Sequence, residues 1–332
     1  MLKESIFSNL ITITIVSLII ALTFWYINLP ENEIKEFFIP DMPTMNEYYI
    51  QRVNQIRNLD KNKIKYFMAI PYGDNLVSKN NLWNMMRDCH LSKEYLPKSF
   101  ILENFYDNQE LKKTHHPYKI YILKKNIQRK KGITLFSGNL IDLQRKYYDG
   151  GFKVIQEFIT NPYLVNNRIV VLRLYLLITK REEYKFYIHK YGKCLYAIKD
   201  FSLENLEKDR LISDTRTRLD SRYPKNLEDF CLKEKIDMSD LHKPIETMIK
   251  CFRGFLHHID DHSEHTRMKF FQLFGVDLIL DEYKKPYLLE VNKSPDISTF
   301  YFKEDKEQKD NMLMDVRNLL ENSKVNNFKI VK

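Results

Sequence analysis

Apolar and polar residues fall along this chain in blocks that predict most of its elements. Leu10–Ile27 reads LITITIVSLIIALTFWYI, 18 residues without a charge. That length spans a bilayer, and Trp25 and Tyr26 close the run where interfacial aromatics sit. A cleaved leader would end in small residues and a core helix would carry a polar face, so the run predicts a single-pass membrane anchor. Residues 1–9 precede it as a tail. Residues 28–62 follow as a polar, Pro-containing stalk, with Tyr49, Val53 and Ile56 at helical spacing inside Met45–Asn58. The flanking charges are too few to orient the anchor.

Beyond residue 62 the pattern changes to short strands and helices. Strand-length apolar runs occupy Lys65–Pro71, Lys98–Leu102, Lys119–Lys124, Ile133–Phe136, Val154–Ile159 and Arg168–Thr179. Tyr184–His189 and Cys194–Ile198 read as a strand pair around Tyr191-Gly192. Helical spacing marks Asn80–Cys89, Ile245–Asp260 and Asp305–Glu321, while residues 200–240 are polar and irregular. Mixed helices and antiparallel strands predict an α+β enzyme over residues 63–323, with lobes at 63–115, 116–165 and 166–323 and a tail at 324–332.

The sharpest candidate chemistry lies in Leu273–Pro295, LFGVDLILDEYKKPYLLEVNKSP. Two apolar runs flank the polar segment Asp281–Lys285. A turn centred between Tyr283 and Lys284 sets Asp277 opposite Glu290, and Asn292 shares a strand face with Glu290. Two carboxylates and an amide carbonyl then converge, a donor set suited to a hard cation such as magnesium carrying phosphates. Glu290 lies within an otherwise apolar strand, where a lone charge is costly to bury.

Composition narrows the partners. The 332 residues are 44% hydrophobic and 29% charged, with a formal charge of +9. The basic balance favours acidic partners, such as anionic lipid or an acidic polypeptide tail. The basic loop Lys125–Lys131 lacks interleaved aromatics, and no nucleic-acid module is present, so nucleic acid is not expected. Cys89, Cys194, Cys231 and Cys251 contain no CxxC pair, which suggests neither a zinc knuckle nor a disulfide framework, and a reducing compartment is the default. His257, His258, Asp260, Asp261, His262, Glu264 and His265 crowd together without fixed ligand spacing and read as a polar loop.

Several segments occur in an order that resembles one family. YLPKSFIL (95–102), KIYILK (119–124) with its basic loop, QEFITNPYLVNNR (156–168), RLYLLIT (173–179) and FGVDLILDEYKKPYLLEVNKSP are similar to the tubulin tyrosine ligase-like proteins of the ATP-grasp superfamily. The match covers about Lys65 to Leu313. It implies two lobes enclosing ATP plus a small N-terminal lobe. It also implies an ATP- and magnesium-dependent ligase that joins a free amino acid (tyrosine, glutamate or glycine) to a protein, often the acidic tail of tubulin, through an acyl phosphate. By the same resemblance Asp277, Glu290 and Asn292 hold magnesium, and Lys124 contacts phosphate. Gln156, Phe158 and Ile159 line the adenine pocket, with Lys131 close to the nucleotide, and Arg173 faces the reacting groups.

The chain also departs from the family pattern. The K-F-D triplet before Arg173 is Ile169, Val170, Val171, and Leu195 stands where an arginine is frequent. One of two glycines of the basic loop is gone, and Lys125 replaces a proline. Each lost cation near an anionic transition state costs about 2.7–4 kcal/mol. The metal half is intact and the substrate half eroded, so a nucleotide-binding pseudoenzyme stands as the alternative. Arg210, Arg216, Arg218 and Arg222 form a basic region suited to an acidic tail. Asn292-Lys293-Ser294 is formally a glycosylation sequon, but a sugar on Asn292 would abolish the metal site. That conflict, with the need for ATP, places the soluble part on the cytosolic side.

Overall fold

A computed structural model describes residues 66–89, 92–127, 132–204, 206–214, 222–258, 269–293, 295, 303–321 and 326–331, with a short strand at Phe37–Phe38. The expected anchor (10–27), the helix at Met45–Asn58 and Lys131 lie outside the described residues. Among those described, no helix is long and apolar enough to cross a membrane. The strands in chain order are β1 (Phe37–Phe38), β2 (Tyr66–Phe67), β3 (Ser99–Phe100), β4 (Tyr121–Lys124), β5 (Ile133–Phe136), β6 (Val154–Glu157), β7 (Leu164–Val165), β8 (Arg168–Lys180), β9 (Tyr184–Ala197), β10 (Ser213–Asp214), β11 (Lys269–Leu280), β12 (Pro286–Lys293) and β13 (Phe328–Val331).

They form two sheets. The larger runs β1-β2-β11-β8-β9-β10, with β12 on β11, β13 on β9 and β7 on β8. The smaller runs β3-β6-β4-β5. β8 is central and covered on both faces, which explains its continuous apolar sequence. Val170, Leu172, Leu174 and Leu176 face the main core, packed with helix Met238–His257. On the opposite face, Tyr175 and Leu177 meet helix Lys303–Leu320 through Met312, Val316 and Leu320. Ile169 on that same face enters a third cluster, with Phe158, Ile279, Ile120, Ile122, Leu135 and Leu289, which joins the two sheets.

Several elements differ from their sequence reading. Tyr184–Ala197 is one continuous strand rather than two around Tyr191-Gly192. Gly192 is needed for closeness, since a Cβ there would lie 2.6 Å from the Arg173 carbonyl oxygen. The helix expected from Ile245 begins seven residues earlier at Met238, where Asp237 caps the amide of Ser239, and it carries Pro244 within it. Residues 200–240 contain helix Leu227–Glu234, capped by Asn226. Cys89 and Cys251 form a disulfide, against the expectation from their spacing, and Cys194 and Cys231 are free and buried. The pairing partners lie 162 residues apart and meet only because helices Lys79–Asp88 and Met238–His257 pack together.

Candidate active site

The site begins with strand register. β11 pairs β8 on one side and β12 on the other. Asp277 therefore lies directly opposite both Arg173 and Glu290, and Arg173 lies opposite Lys193 on β9. Lys193, Arg173, Asp277 and Glu290 make one row across four strands, two cations beside two carboxylates. The next row, Leu195, Val171, Ile279 and Tyr287, is apolar. Two of the family departures, Val171 and Leu195, are thus partners in the row beside Arg173, and Ile169 follows on the same face of β8.

The predicted opposition of Asp277 and Glu290 is present, but the turn is not centred as expected. Register shifts between Asp277 and Leu278, so Leu288 pairs with Leu278 and Leu289 is the extra residue of a bulge. The bulge matters chemically, because the Leu289 carbonyl accepts a hydrogen bond from Lys124 Nζ at 3.3 Å. Asp281 stabilises the turn by accepting from the amides of Tyr283 and Lys285.

Arg173 grips Asp277 bidentately, with Nε and Nη2 each donating over 2.7 Å. Asp277 is buried and the Arg173 side chain is only 11% exposed, which makes this a low-dielectric pair. Burial lifts the Asp277 carboxyl above its ordinary value, against the pull of Arg173. Gly275, opposite Asn292, leaves the space that Arg173 fills: a Cβ there would stand 3.4 Å from the arginine Cδ and 3.0 Å from Pro295. Asn292 Nδ2 donates to Asp277 at 3.1 Å and to Glu290 at 3.2 Å. Burial alone would raise the Glu290 carboxyl, but Lys79 and then Lys124 outweigh it and hold it below its ordinary value.

From the smaller sheet comes Lys124, 6% exposed at the end of β4. Its Nζ donates to Gln156 Oε1 at 2.6 Å, and Gln156 in turn donates to Ser99 Oγ at 2.9 Å. Burial lowers the Lys124 ammonium to about 8, with Glu290 opposing and Lys79 adding to the fall. Lys79, Leu82, Trp83, Leu96, Ser99 and Val154 line a narrow cleft with Lys124, Gln156 and Leu289. Phe158 and Ile159 pack in the apolar seam beside it, and the Phe158 amide bonds to the Ile120 carbonyl.

Eight of the sequence-predicted residues, Lys124, Gln156, Phe158, Ile159, Arg173, Asp277, Glu290 and Asn292, therefore gather between the two sheets. Sequence reasoning missed Lys79, Gly275, the Leu289 carbonyl and Ser99. It also missed the buried Lys293–Asp74 pair, 2.9 Å apart, which ties helix Asp74–Val77 to β12. Gly275 was visible within FGVD; nothing local marked the others. Among the described residues, no group of three or more His, Cys, Asp or Glu side chains could hold a metal ion.

The donor set nonetheless fits magnesium. Among the described residues, Glu290 has the 3.2 Å amide contact and a 3.8 Å ion pair with Lys79. Asp277 has lone pairs beyond the two given to Arg173. Rotating the Asn292 amide by half a turn would aim its oxygen into the same space. For a purine, the apolar seam of Phe158, Ile159, Ile122 and Leu289 supplies flat apolar walls.

Sequence comparison bears on the family. Over 219 residues the chain is 28% identical to a "Probable tubulin polyglutamylase" of Mus musculus, covering 58% of this chain and 37% of that protein. A "Probable beta-tubulin polyglutamylase" of Tetrahymena thermophila is 25% identical over 273 residues, 71% of this chain and 22% of that protein. A tubulin glycylase of Drosophila melanogaster is 26% identical over 166 residues, 44% and 21% respectively. The chain thus spans little more than a third, at most, of these relatives. The Tubulin-tyrosine ligase family model matches residues 55–329, and the chain belongs to that family.

Proposed function

We propose that the chain is an ATP-dependent carboxylate–amine ligase that adds an amino acid to an acidic protein tail through an acyl phosphate, with the tubulin C-terminal tail as the candidate acceptor. The observation that carries this reading is the meeting of Lys124, Arg173, Asp277, Glu290 and Asn292 in one polar cluster beside the cleft between the two sheets. Magnesium, when bound, would neutralise phosphate charge, held by Asp277, Glu290 and Asn292. Lys124 would contact phosphate oxygens, with Gln156 holding its ammonium in place. Arg173 would keep Asp277 ionised and face the reacting carboxylate. The apolar seam around Phe158 and Ile159 would take the base and exclude water. Membrane attachment through residues 10–27 belongs to the same proposal. So does contact of Arg210, Arg216, Arg218 and Arg222 with the acidic tail; Arg216 and Arg218 lie outside the described residues.

A second reading, nucleotide binding without turnover, is favoured by one observation: Ile169, Val171 and Leu195, where the family pattern carries charge, are all buried. One experiment separates the two. ATP hydrolysis by the full chain is measured with tubulin and with tyrosine, glutamate or glycine in turn, against Glu290→Gln. Turnover that needs an amino acid and vanishes in the variant supports a ligase and names its donor. Binding of ATP that needs Glu290 without turnover supports the second reading. No binding refutes both.

A further inference from the structure

Lys79 opens helix Lys79–Asp88, and its side chain is only 10% exposed. It comes from an element that carries none of the residues assigned above. Its backbone amide donates to Asn126 Oδ1 at 2.9 Å, and its Nζ donates to the Ile127 carbonyl at 3.3 Å. Asn126 and Ile127 lie two and three residues after Lys124, so one loop holds both ammonium groups at the cleft. Leu82 and Trp83, one turn further along the same helix face, line the cleft beside Lys124.

The charges around this cleft do not balance. Arg173 already occupies Asp277 through two short hydrogen bonds. Glu290 is then left between Lys79 and Lys124, both of which act on it electrostatically. Lys79 Nζ stands 3.8 Å from Glu290 Oε2, longer than a hydrogen bond, and an ammonium has three donors to place. Lys79, Lys124, Arg173 and, at the end of the same row, Lys193 set four cations around the two carboxylates, which favours an anion there. The positions that would supply cations in the family pattern are Ile169 and Leu195, both buried and apolar.

We propose that Lys79 is a phosphate-contacting cation of this cleft, replacing from the N-terminal helix part of the charge missing at Ile169 and Leu195. The inference rests on the nucleotide-site reading above and names a residue that reading does not include. Any polyphosphate that reaches both Lys124 and a cation on Glu290 comes within reach of Lys79. An ammonium on a flexible stem can follow a moving phosphate as a point charge, whereas a guanidinium fork would demand a fixed geometry.

The test compares the full chain with Lys79→Met and Lys79→Arg, using Lys124→Met as a reference for the nucleotide site. Affinities for ATP and for adenosine are measured with magnesium present, manganese binding is followed by its paramagnetic signal, and thermal unfolding checks the fold. Lys79→Met is expected to weaken ATP at least ~10-fold, about 1.4 kcal/mol, with adenosine affinity and melting temperature unchanged, and Lys79→Arg is expected to recover part of the loss. If Lys79 merely neutralises Glu290, Lys79→Met will tighten manganese and leave the ATP-to-adenosine ratio as it was, which overturns the proposal. Unchanged ATP affinity in Lys79→Met together with loss in Lys124→Met overturns the role of Lys79 and leaves the nucleotide site standing. Failure of the unaltered chain to bind ATP overturns both. Should Lys79→Met fold poorly, Lys79→Gln is read by the same ratio.

Discussion

Replacing Lys124 by methionine separates what this buried ammonium costs the fold from what it does for a ligand. Its ordinary value of 10.5 falls to about 8 because burial disfavours the charged form. Below pH 8 the native state therefore carries a penalty of about 3 kcal/mol, taken as about 1.36 kcal/mol for each tenfold change in proton affinity. Between pH 8 and 10.5 the unfolded chain holds more protons than the folded one, so stability rises with pH across that window. Methionine removes the penalty and keeps an unbranched chain of similar length. It also leaves Gln156 Oε1 and the Leu289 carbonyl without their donor, at about 1–3 kcal/mol each. The two effects nearly cancel, so Lys124→Met should lie within about 2 kcal/mol of the unaltered chain at pH 7 while losing ATP affinity. Urea unfolding at pH 7 and at pH 10 measures this, with the slopes compared to ensure that both proteins expose the same surface. On going to pH 10 the unaltered chain should gain on the variant by up to about 3 kcal/mol. A pH-independent difference, or a variant weaker by more than about 4 kcal/mol at pH 7, would falsify the view of Lys124 as a buried cation held for a ligand.

Three further outcomes follow from the geometry. Arg173→Met leaves the Asp277 carboxylate buried and unpaired, and should cost about 3–5 kcal/mol in denaturant unfolding; the double variant with Asp277→Leu should recover much of that, and a single-variant loss under about 1 kcal/mol would refute the pairing. Glu290→Gln should abolish manganese binding. In the unaltered chain Glu290 is held below its ordinary value while burial raises Asp277, so manganese binding should weaken on acidification as Asp277 takes up a proton before Glu290 does; binding that is insensitive to acidification would place the ligands elsewhere. Reduction of the Cys89–Cys251 bond should lower stability by about 2–4 kcal/mol, and alkylation without reductant should label only Cys194 and Cys231 after unfolding; four labelled thiols would remove the cross-link.

What could be read from the residues themselves is local in character. The apolar run of β8, the polar turn of the β11–β12 hairpin and the helical face of Lys79–Asp88 each follow from periodicity within one segment. The opposition of Asp277 and Glu290, with Asn292 on the same face, follows from a hairpin whose two strands are adjacent in sequence. The order of motifs around these residues was enough to point to the family. Pairing between distant segments was not legible. Arg173 meets Asp277 across 104 residues, and nothing near either residue encodes that register. The bulge at Leu289 shifts the hairpin register by one residue and aims a carbonyl at Lys124, a residue of the other sheet. Lys79 looks like any lysine at a helix start until helix packing brings it to Glu290, and Cys89 meets Cys251 for the same reason. Short-range pattern fixes which residues share a face. Which faces meet is set by burial of the whole core, and that is where the charge balance of this cleft is decided.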